Sequence, residues 1–156
     1  MELKFKQLFK FLLISCISFS ASANVALVEG FVRAMPPSVP NTAAYFTLEN
    51  HGPDLTLVSV DVTFAKEAQL HTVIEENGVV KMRQVESFSV PMHGRLTLNE
   101  SGEHVMLMGL KHQLPVGQNV ELVLHFNDGS QLPISLPVSK QEMAKQGEGH
   151  HHHHHH

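Results

Sequence analysis

The chain has 156 residues and is poor in cysteine, aromatic residues and charge. It holds one cysteine, no tryptophan, one tyrosine and 17% charged residues, with a net charge of −4. The lack of a basic excess argues against nucleic acid as a partner. A glycine-rich phosphate loop and the motifs G-x-S-x-G and H-E-x-x-H are also missing, which removes the common hydrolase and nucleotide-binding signatures. By contrast, the chain contains seven methionines and thirteen histidines.

Residues 1–23 have the pattern of a cleaved secretory signal peptide. Three lysines precede a short apolar run, and Ala-Ser-Ala at 21–23 supplies the small residues of a cleavage site. The run is too short to span a membrane, which takes about 20 residues. An alternative is a lipoprotein box at residues 13–16, but it leaves a hydrophobic region shorter than a signal peptide normally has. The segment therefore predicts export to the periplasm without stable membrane insertion.

Removal of residues 1–23 would leave a chain without cysteine. Three lysines, one glutamate and Cys16 would leave with the segment, which changes the net charge from −4 to −6. An exported domain without cysteine has neither a disulfide nor a thiolate for catalysis or metal binding. Any soft metal ligand in such a domain must be a methionine.

Residues 24–138 are predicted to form one all-β domain, a β-sandwich, because short alternating segments recur between turn signals. In one segment Val120, Leu122 and Leu124 fall on the same face, as a strand with one buried side requires. Asn77-Gly78 between two apolar runs is typical of a hairpin turn. The predicted strands are 26–32, 42–50, 55–62, 69–74, 79–85, 95–98, 104–110, 119–126 and 131–138.

Residues 139–156 are predicted to form a flexible tail. The tail ends in seven consecutive histidines at 150–156, and Met143 is one of its few apolar residues. Neutral imidazole binds metal ions, so the run is either a native metal-binding tract or a purification tag. The sequence leaves both interpretations open.

Four residues of the predicted domain, His71, Met82, His104 and Met106, form a candidate metal site. Strand alternation places His104 and Met106 on one face of the strand and Val105 and Leu107 on the other face, which points toward the core. His71 and Met82 flank the Asn-Gly turn, so a hairpin could bring them close together. A site of two imidazoles and two thioethers follows.

The types of ligand select the metal. Thioether sulfur is neutral and polarisable and favours Cu(I), and imidazole accepts the same ion. Structural zinc sites use cysteine and histidine, whereas calcium and magnesium require oxygen ligands. Blue-copper electron transfer requires a cysteine thiolate, which the exported domain would lack, so a redox role is disfavoured.

Each of the four residues also has a plainer interpretation. A methionine on a strand usually fills a core, and a lone histidine is usually a hydrogen-bonded residue. The chain would then be a passive β-sandwich. A metal-dependent enzyme is another alternative, but Glu75 and Glu76 are the only acids close after His71, and they lie in a turn where acids are usually solvated. One His-Met pair on the same face of a strand and a second pair across a turn, in an exported chain without cysteine, favour a metal site.

The spacing of the four residues resembles that of the PCuAC-type periplasmic copper chaperones. Their signature is a histidine, ten residues, a methionine, twenty-one residues and then His-x-Met, which residues 71, 82, 104 and 106 reproduce. The segments TAAYFTLEN, GVVKMRQVESFSVP and EHVMLMGLKHQLPVGQNVELVLHF are similar to the family as well. The resemblance extends over residues 26–138.

The resemblance implies a cupredoxin-like β-sandwich that is not an enzyme and binds one Cu(I) at an exposed site through His71, Met82, His104 and Met106. It implies delivery of copper to the assembly of cytochrome c oxidase, with Sco-type copper proteins and cytochrome c oxidase subunit II as partners. Periplasmic copper storage or resistance is the alternative. Some family members carry a tail rich in His and Met that binds Cu(II), a role that residues 150–156 would fit.

One segment departs from the family. Pro91-Met92-His93 stands where a turn of small residues is expected, and Met92 and His93 are either additional copper contacts or loop residues. We favour loop residues. Met108 points with the site by alternation but is not part of the signature.

Overall fold

The computed structural model describes residues 24–140 as ten β-strands. Residues 1–23, with Cys16, and residues 141–156, with Met143 and the histidine run, lie outside the described residues, so the signal peptide and the tail stay predictions. Within the described part, no helix is long and apolar enough to cross a membrane. The strands are β1 (Val25–Arg33), β2 (Thr42–Asn50), β3 (Leu55–Val62), β4 (Ala65–Glu76), β5 (Val79–Gln84), β6 (Phe88–Val90), β7 (Arg95–Thr97), β8 (His104–Leu110), β9 (Asn119–Phe126) and β10 (Gln131–Ser139).

The strands form two sheets that enclose one core and share a seam. The front sheet has the order β5-β4-β8-β2-β1, with β7 also pairing with β2, and the back sheet has the order β10-β9-β3-β6. A short parallel pairing of Val32 with Val138 and of Arg33 with Ser139 joins β1 to β10 and thereby connects the sheets. The prediction of a single all-β, cupredoxin-like sandwich is confirmed.

The core follows the predicted alternation. Every second residue of β2, β8 and β9 points inward, which buries Ala44, Phe46, Leu48, Val105, Leu107, Val120, Leu122, Leu124 and Phe126. The opposite, outer face of the front sheet carries a separate small cluster of Phe31, Ala43 and Tyr45. β2 is therefore covered on both faces, and it separates the main core from the outer face on which the candidate site lies.

The boundaries of the predicted strands agree with the structure to within one residue, except for β4. The predicted strands 42–50, 55–62, 104–110 and 119–126 coincide with β2, β3, β8 and β9. β4 is longer at both ends, and β10 extends one residue beyond the predicted domain limit at 138. β6 was not predicted, because its three residues are too few to display alternation. Asn77 and Gly78 have φ angles of 53° and 76°, which is the left-handed geometry of the predicted hairpin turn.

We expect Leu107→Ala to lower the free energy of unfolding by about 2–5 kcal/mol, because it removes a fully buried side chain between the sheets. Val80→Ala is the control, since that side chain is 67% exposed, and it should change the value by less than about 0.5 kcal/mol. Urea denaturation measures both. An equal decrease in the free energy of unfolding in the two variants would contradict the placement of Leu107 in the core.

Candidate metal centre

His71 and His104 lie opposite each other on the outer face of the front sheet. They are register partners in the antiparallel pairing of β4 with β8. Their ring centroids are 5.8 Å apart and the rings are tilted by 56°. The register of two neighbouring strands therefore brings together two imidazoles that are far apart along the chain.

The hydrogen bonds of the two rings leave one free nitrogen on each. Nδ1 of His104 lies 3.1 Å from the carbonyl oxygen of Gly102, and a carbonyl only accepts, so Nδ1 carries the proton and donates it. Nε2 of His71 lies 2.9 Å from Oε1 of Gln69, and the amide of Gln69 is oriented because its nitrogen donates to Glu67 at 2.6 Å. Nδ1 of His71 and Nε2 of His104 are therefore the unprotonated nitrogens.

These two free nitrogens are buried without a partner. Among residues 24–140, they are the only buried side-chain nitrogen or oxygen atoms that lack a hydrogen bond. Buried polar atoms in folded proteins almost always have a partner. Metal-binding histidines typically donate the other ring N–H to an oxygen, which is the arrangement of both rings here. Each ring thus offers a lone pair that the protein itself does not use.

Burial also favours one charge state of His71. Burial lowers the pKa of His71, and the neighbouring His104 lowers it further. The neutral form of the His71 imidazole, which is the form that binds metal, is therefore favoured at neutral pH. His104 is almost completely buried, with 1% of its surface exposed.

The two methionines of the signature lie on the same face as the histidines. Met106 is the register partner of Gln69, two residues along β4 from His71. Met82 is the register partner of Val73, on the other side of His71 along the same strand. Met82, His104 and Met106 line one open cavity of about 170 Å³. The structure therefore brings three of the four predicted residues around a common space, His104 and Met106 from β8 and Met82 from β5, while His71 lies beside His104 without bordering the cavity.

The exposure of the four residues differs from the exposed site that the resemblance implies. Met82 is 59% exposed and sits on the edge strand β5, whereas His104 is buried and His71 and Met106 are intermediate. The difference arises because β8 lies in the middle of the front sheet, where the ring of Tyr45 packs 6.2 Å from that of His104. One side of the site is fixed and the other faces solvent.

Six residues that the sequence analysis did not assign to the site also border the cavity. They are Arg33, Met35, Asn41, Thr42, Ala43 and Tyr45. The guanidinium of Arg33 lies 5.6 Å from the centre of the Tyr45 ring and forms an ion pair with Glu100. Burial raises the pKa of Tyr45, and Arg33 opposes part of that shift. Met35 reaches the cavity from the loop after β1, a position for which strand alternation provides no signal.

The remaining candidates lie elsewhere. Met108 pairs with Glu67 and does not line the cavity. Met92 and His93 belong to the turn before β7. β7 pairs with residues 47–49 of β2, whereas β8, which carries His104 and Met106, pairs with residues 42–44 of β2. These two stretches of β2 are five residues apart, which at a rise of about 3.3 Å per residue corresponds to about 17 Å. The described residues contain no group of three or more His, Cys, Asp or Glu side chains placed to hold a metal ion.

Comparison with known proteins shows the family. Residues 25–138 match the family described as "Putative lipoprotein LpqE-like". The protein named "Putative lipoprotein Lxx21020" from Leifsonia xyli subsp. xyli is 37% identical over 117 residues, which cover 74% of this chain and 69% of that protein.

Solved structures agree with this assignment. The Cu(I) form of DR1885 from Deinococcus radiodurans is 38% identical, with a TM-score of 0.60 over 79% of this chain and 85% of that chain. The copper-bound PCuAC domain of PmoF2 has a TM-score of 0.64 over 76% of this chain and 94% of that domain, and its 19% identity shows the shared fold alone. The chain belongs to the LpqE-like family, the family of PCuAC-type copper-binding domains.

Proposed function

We propose that the chain is a periplasmic copper chaperone that binds one Cu(I) through His71, Met82, His104 and Met106. The observation that carries the proposal is the pair of buried, unprotonated ring nitrogens, Nδ1 of His71 and Nε2 of His104, without a partner in the protein. Two thioether side chains on the same face complete a set of four soft donors. Copper is the cargo of such a protein.

The donor set favours Cu(I) over other ions. Neutral sulfur and neutral imidazole suit a monovalent, polarisable ion, and they lack the oxygen ligands that calcium and magnesium require. DR1885, a relative with 38% identity, has been solved in its Cu(I) form, which supports the same ion here. The relatives are described as copper-binding domains, which supports a carrier rather than an enzyme.

A carrier must hold copper firmly and release it to a partner. His104 sits in the middle strands of the front sheet, whereas Met82 sits on an edge strand and is more than half exposed. A partner that approaches from solvent therefore reaches Met82 first and can replace it while His104 still holds the ion. This asymmetry supports stepwise transfer.

The family and the first segment of the chain support a proposal for the recipient and the compartment. We propose that copper goes to the copper-centre assembly of cytochrome c oxidase, through Sco-type proteins or to subunit II. The signal-peptide pattern of residues 1–23 supports export, and the word lipoprotein in the names of the family and of Lxx21020 supports a location in the envelope. Residues 150–156, if native, would bind Cu(II) as a secondary site.

The first test is an anaerobic Cu(I) titration against a chromogenic chelator, on a chain of residues 24–140, which contains the whole described core. The wild type should bind one tight equivalent. The double substitution Met82→Leu and Met106→Leu should weaken Cu(I) binding by at least about 100-fold. Loss of a residue that only supports a metal ligand already weakens metal binding, and loss of a ligand itself should weaken it at least as much. These swaps conserve volume, so stability should change by less than about 1.5 kcal/mol per site.

The matched control is Met92→Leu with Met108→Leu, which should bind as the wild type does. Absence of Cu(I) binding by the wild-type domain would overturn the four-residue site. Unchanged affinity in the Met82 and Met106 variant, with a loss of stability instead, would assign these methionines to packing.

The second test concerns delivery. Cu(I) loaded on the chain should move to a reduced Sco-type dithiol protein, because anionic thiolates attract Cu(I) more strongly than neutral thioethers. Separation of the two proteins and measurement of their copper content gives the result. An acceptor with alkylated thiols is the control, and copper that stays on the chain, or moves equally to both acceptors, would argue for storage.

The third test is optical. The Cu(II)-loaded domain of residues 24–140 should lack the intense visible band of a copper-thiolate bond, because these residues contain no cysteine, and the Cu(I) form should be colourless. Visible absorption spectra measure both states. An intense band in the Cu(II) form would contradict the proposed ligands.

A further inference from the structure

Met35 lies against the same cavity as the signature residues, although it is far from them in sequence. It is the second residue of the loop between β1 and β2, and its side chain borders the cavity together with Met82, His104 and Met106. His71 does not border this cavity. The cavity therefore presents three thioethers and one imidazole, whereas the signature provides two of each.

The loop that carries Met35 is held at both ends. At its start, the N–H of Ala34 donates to Ser139 at 2.8 Å, and the hydroxyl of Thr42 donates to the carbonyl of Arg33 at 2.6 Å. At its end, the N–H of Leu110 donates to Pro40 at 2.7 Å. Three prolines within the loop restrict its backbone further. Met35 is thus positioned by the fold beside the site.

Packing alone does not explain the position of Met35. Its neighbour Ala34 packs against the main core, but Met35 belongs to neither apolar cluster of the described residues. The side chain is partly buried between the cavity and an adjoining groove that Leu114 borders. A methionine outside the core that borders the same cavity as two other methionines and His104 is in a position to act as a soft metal ligand.

The charges around the cavity favour a neutral ligand at this position. Arg33 borders the cavity, and its guanidinium is paired with Glu100 and lies over Tyr45. A further cationic side chain beside Arg33 would be repelled, whereas a thioether carries no charge. The ion pair with Glu100 also reduces the repulsion between Arg33 and an incoming Cu(I).

We propose that Met35 is a third thioether ligand for Cu(I), bound in the cavity with Met82, His104 and Met106. The proposal rests on the proposed copper function. With His71, the protein then offers five donors to an ion that takes no more than four in a tetrahedral arrangement. One donor can therefore leave while the others hold the ion, so Met35 provides a way to exchange ligands during transfer.

The experiment is an anaerobic Cu(I) titration of the full chain labelled with ¹³C at the methionine methyl groups. Single Met→Leu variants assign the signals. The methyl signals of Met35, Met82 and Met106 should shift with the first equivalent, whereas those of Met92 and Met108 should not. In a chelator competition, Met35→Leu should bind Cu(I) about tenfold more weakly than the wild type, and Met92→Leu should bind equally.

The outcomes separate the two proposals. If Met82 and Met106 shift but Met35 does not, or if Met35→Leu keeps full affinity, Met35 is not a ligand and the four-residue site stands. If none of the three signals shifts, the proposed copper site itself is wrong. Amide spectra of the folded variants exclude unfolding as a cause. If the leucine variant does not fold, the Met35 methyl signal of the wild type, assigned by elimination from the other variants, keeps the test valid because it requires no substitution at this position.

Discussion

The antiparallel register of β4 and β8 is the constraint on which the candidate site depends. It sets His71 directly opposite His104 and Met106 opposite Gln69, and Gln69 in turn orients the ring of His71. A slip of one residue would turn one of the two histidines toward the core. Val105 and Leu107 on the inner face of β8 prevent such a slip, because it would expose two fully buried side chains. The packing of the core thus determines the geometry of the candidate metal donors.

The parts of the molecule that follow strand periodicity could be predicted from the sequence. Val105 and Leu107 were assigned to the core and His104 and Met106 to the other face, because alternation along one strand requires no knowledge of its neighbours. The burial of His104 could not be predicted in this way, since it depends on Tyr45 from β2, the neighbouring strand. Met35 was missed for a similar reason: a loop residue has no periodicity, and only the strand order brings it to the cavity.

The two sides of the site differ in how firmly they are held. The strands β4, β8 and β2 have neighbours on both sides, and the ring of His104 is enclosed between those of His71 and Tyr45. β5 has one neighbouring strand, and all six of its residues are exposed. A rigid imidazole side and an open thioether side combine two properties that a carrier needs, a defined binding geometry and access for an acceptor. Blue-copper sites instead depend on a thiolate within a closed set of ligands.

The pairing of His71 with His104 also links metal binding to the order in which the chain folds. The β4–β5 hairpin joins strands that are adjacent in sequence, and such hairpins form within microseconds, whereas His71 meets His104 only when β4 pairs with β8 across the intervening β5, β6 and β7 segments. An unfolded chain therefore offers scattered donors without the common geometry of the site. Copper bound by the folded state alone would shift the folding equilibrium toward that state. The metal would then stabilise the protein that carries it, and release of the cargo would return the chain to its lower intrinsic stability.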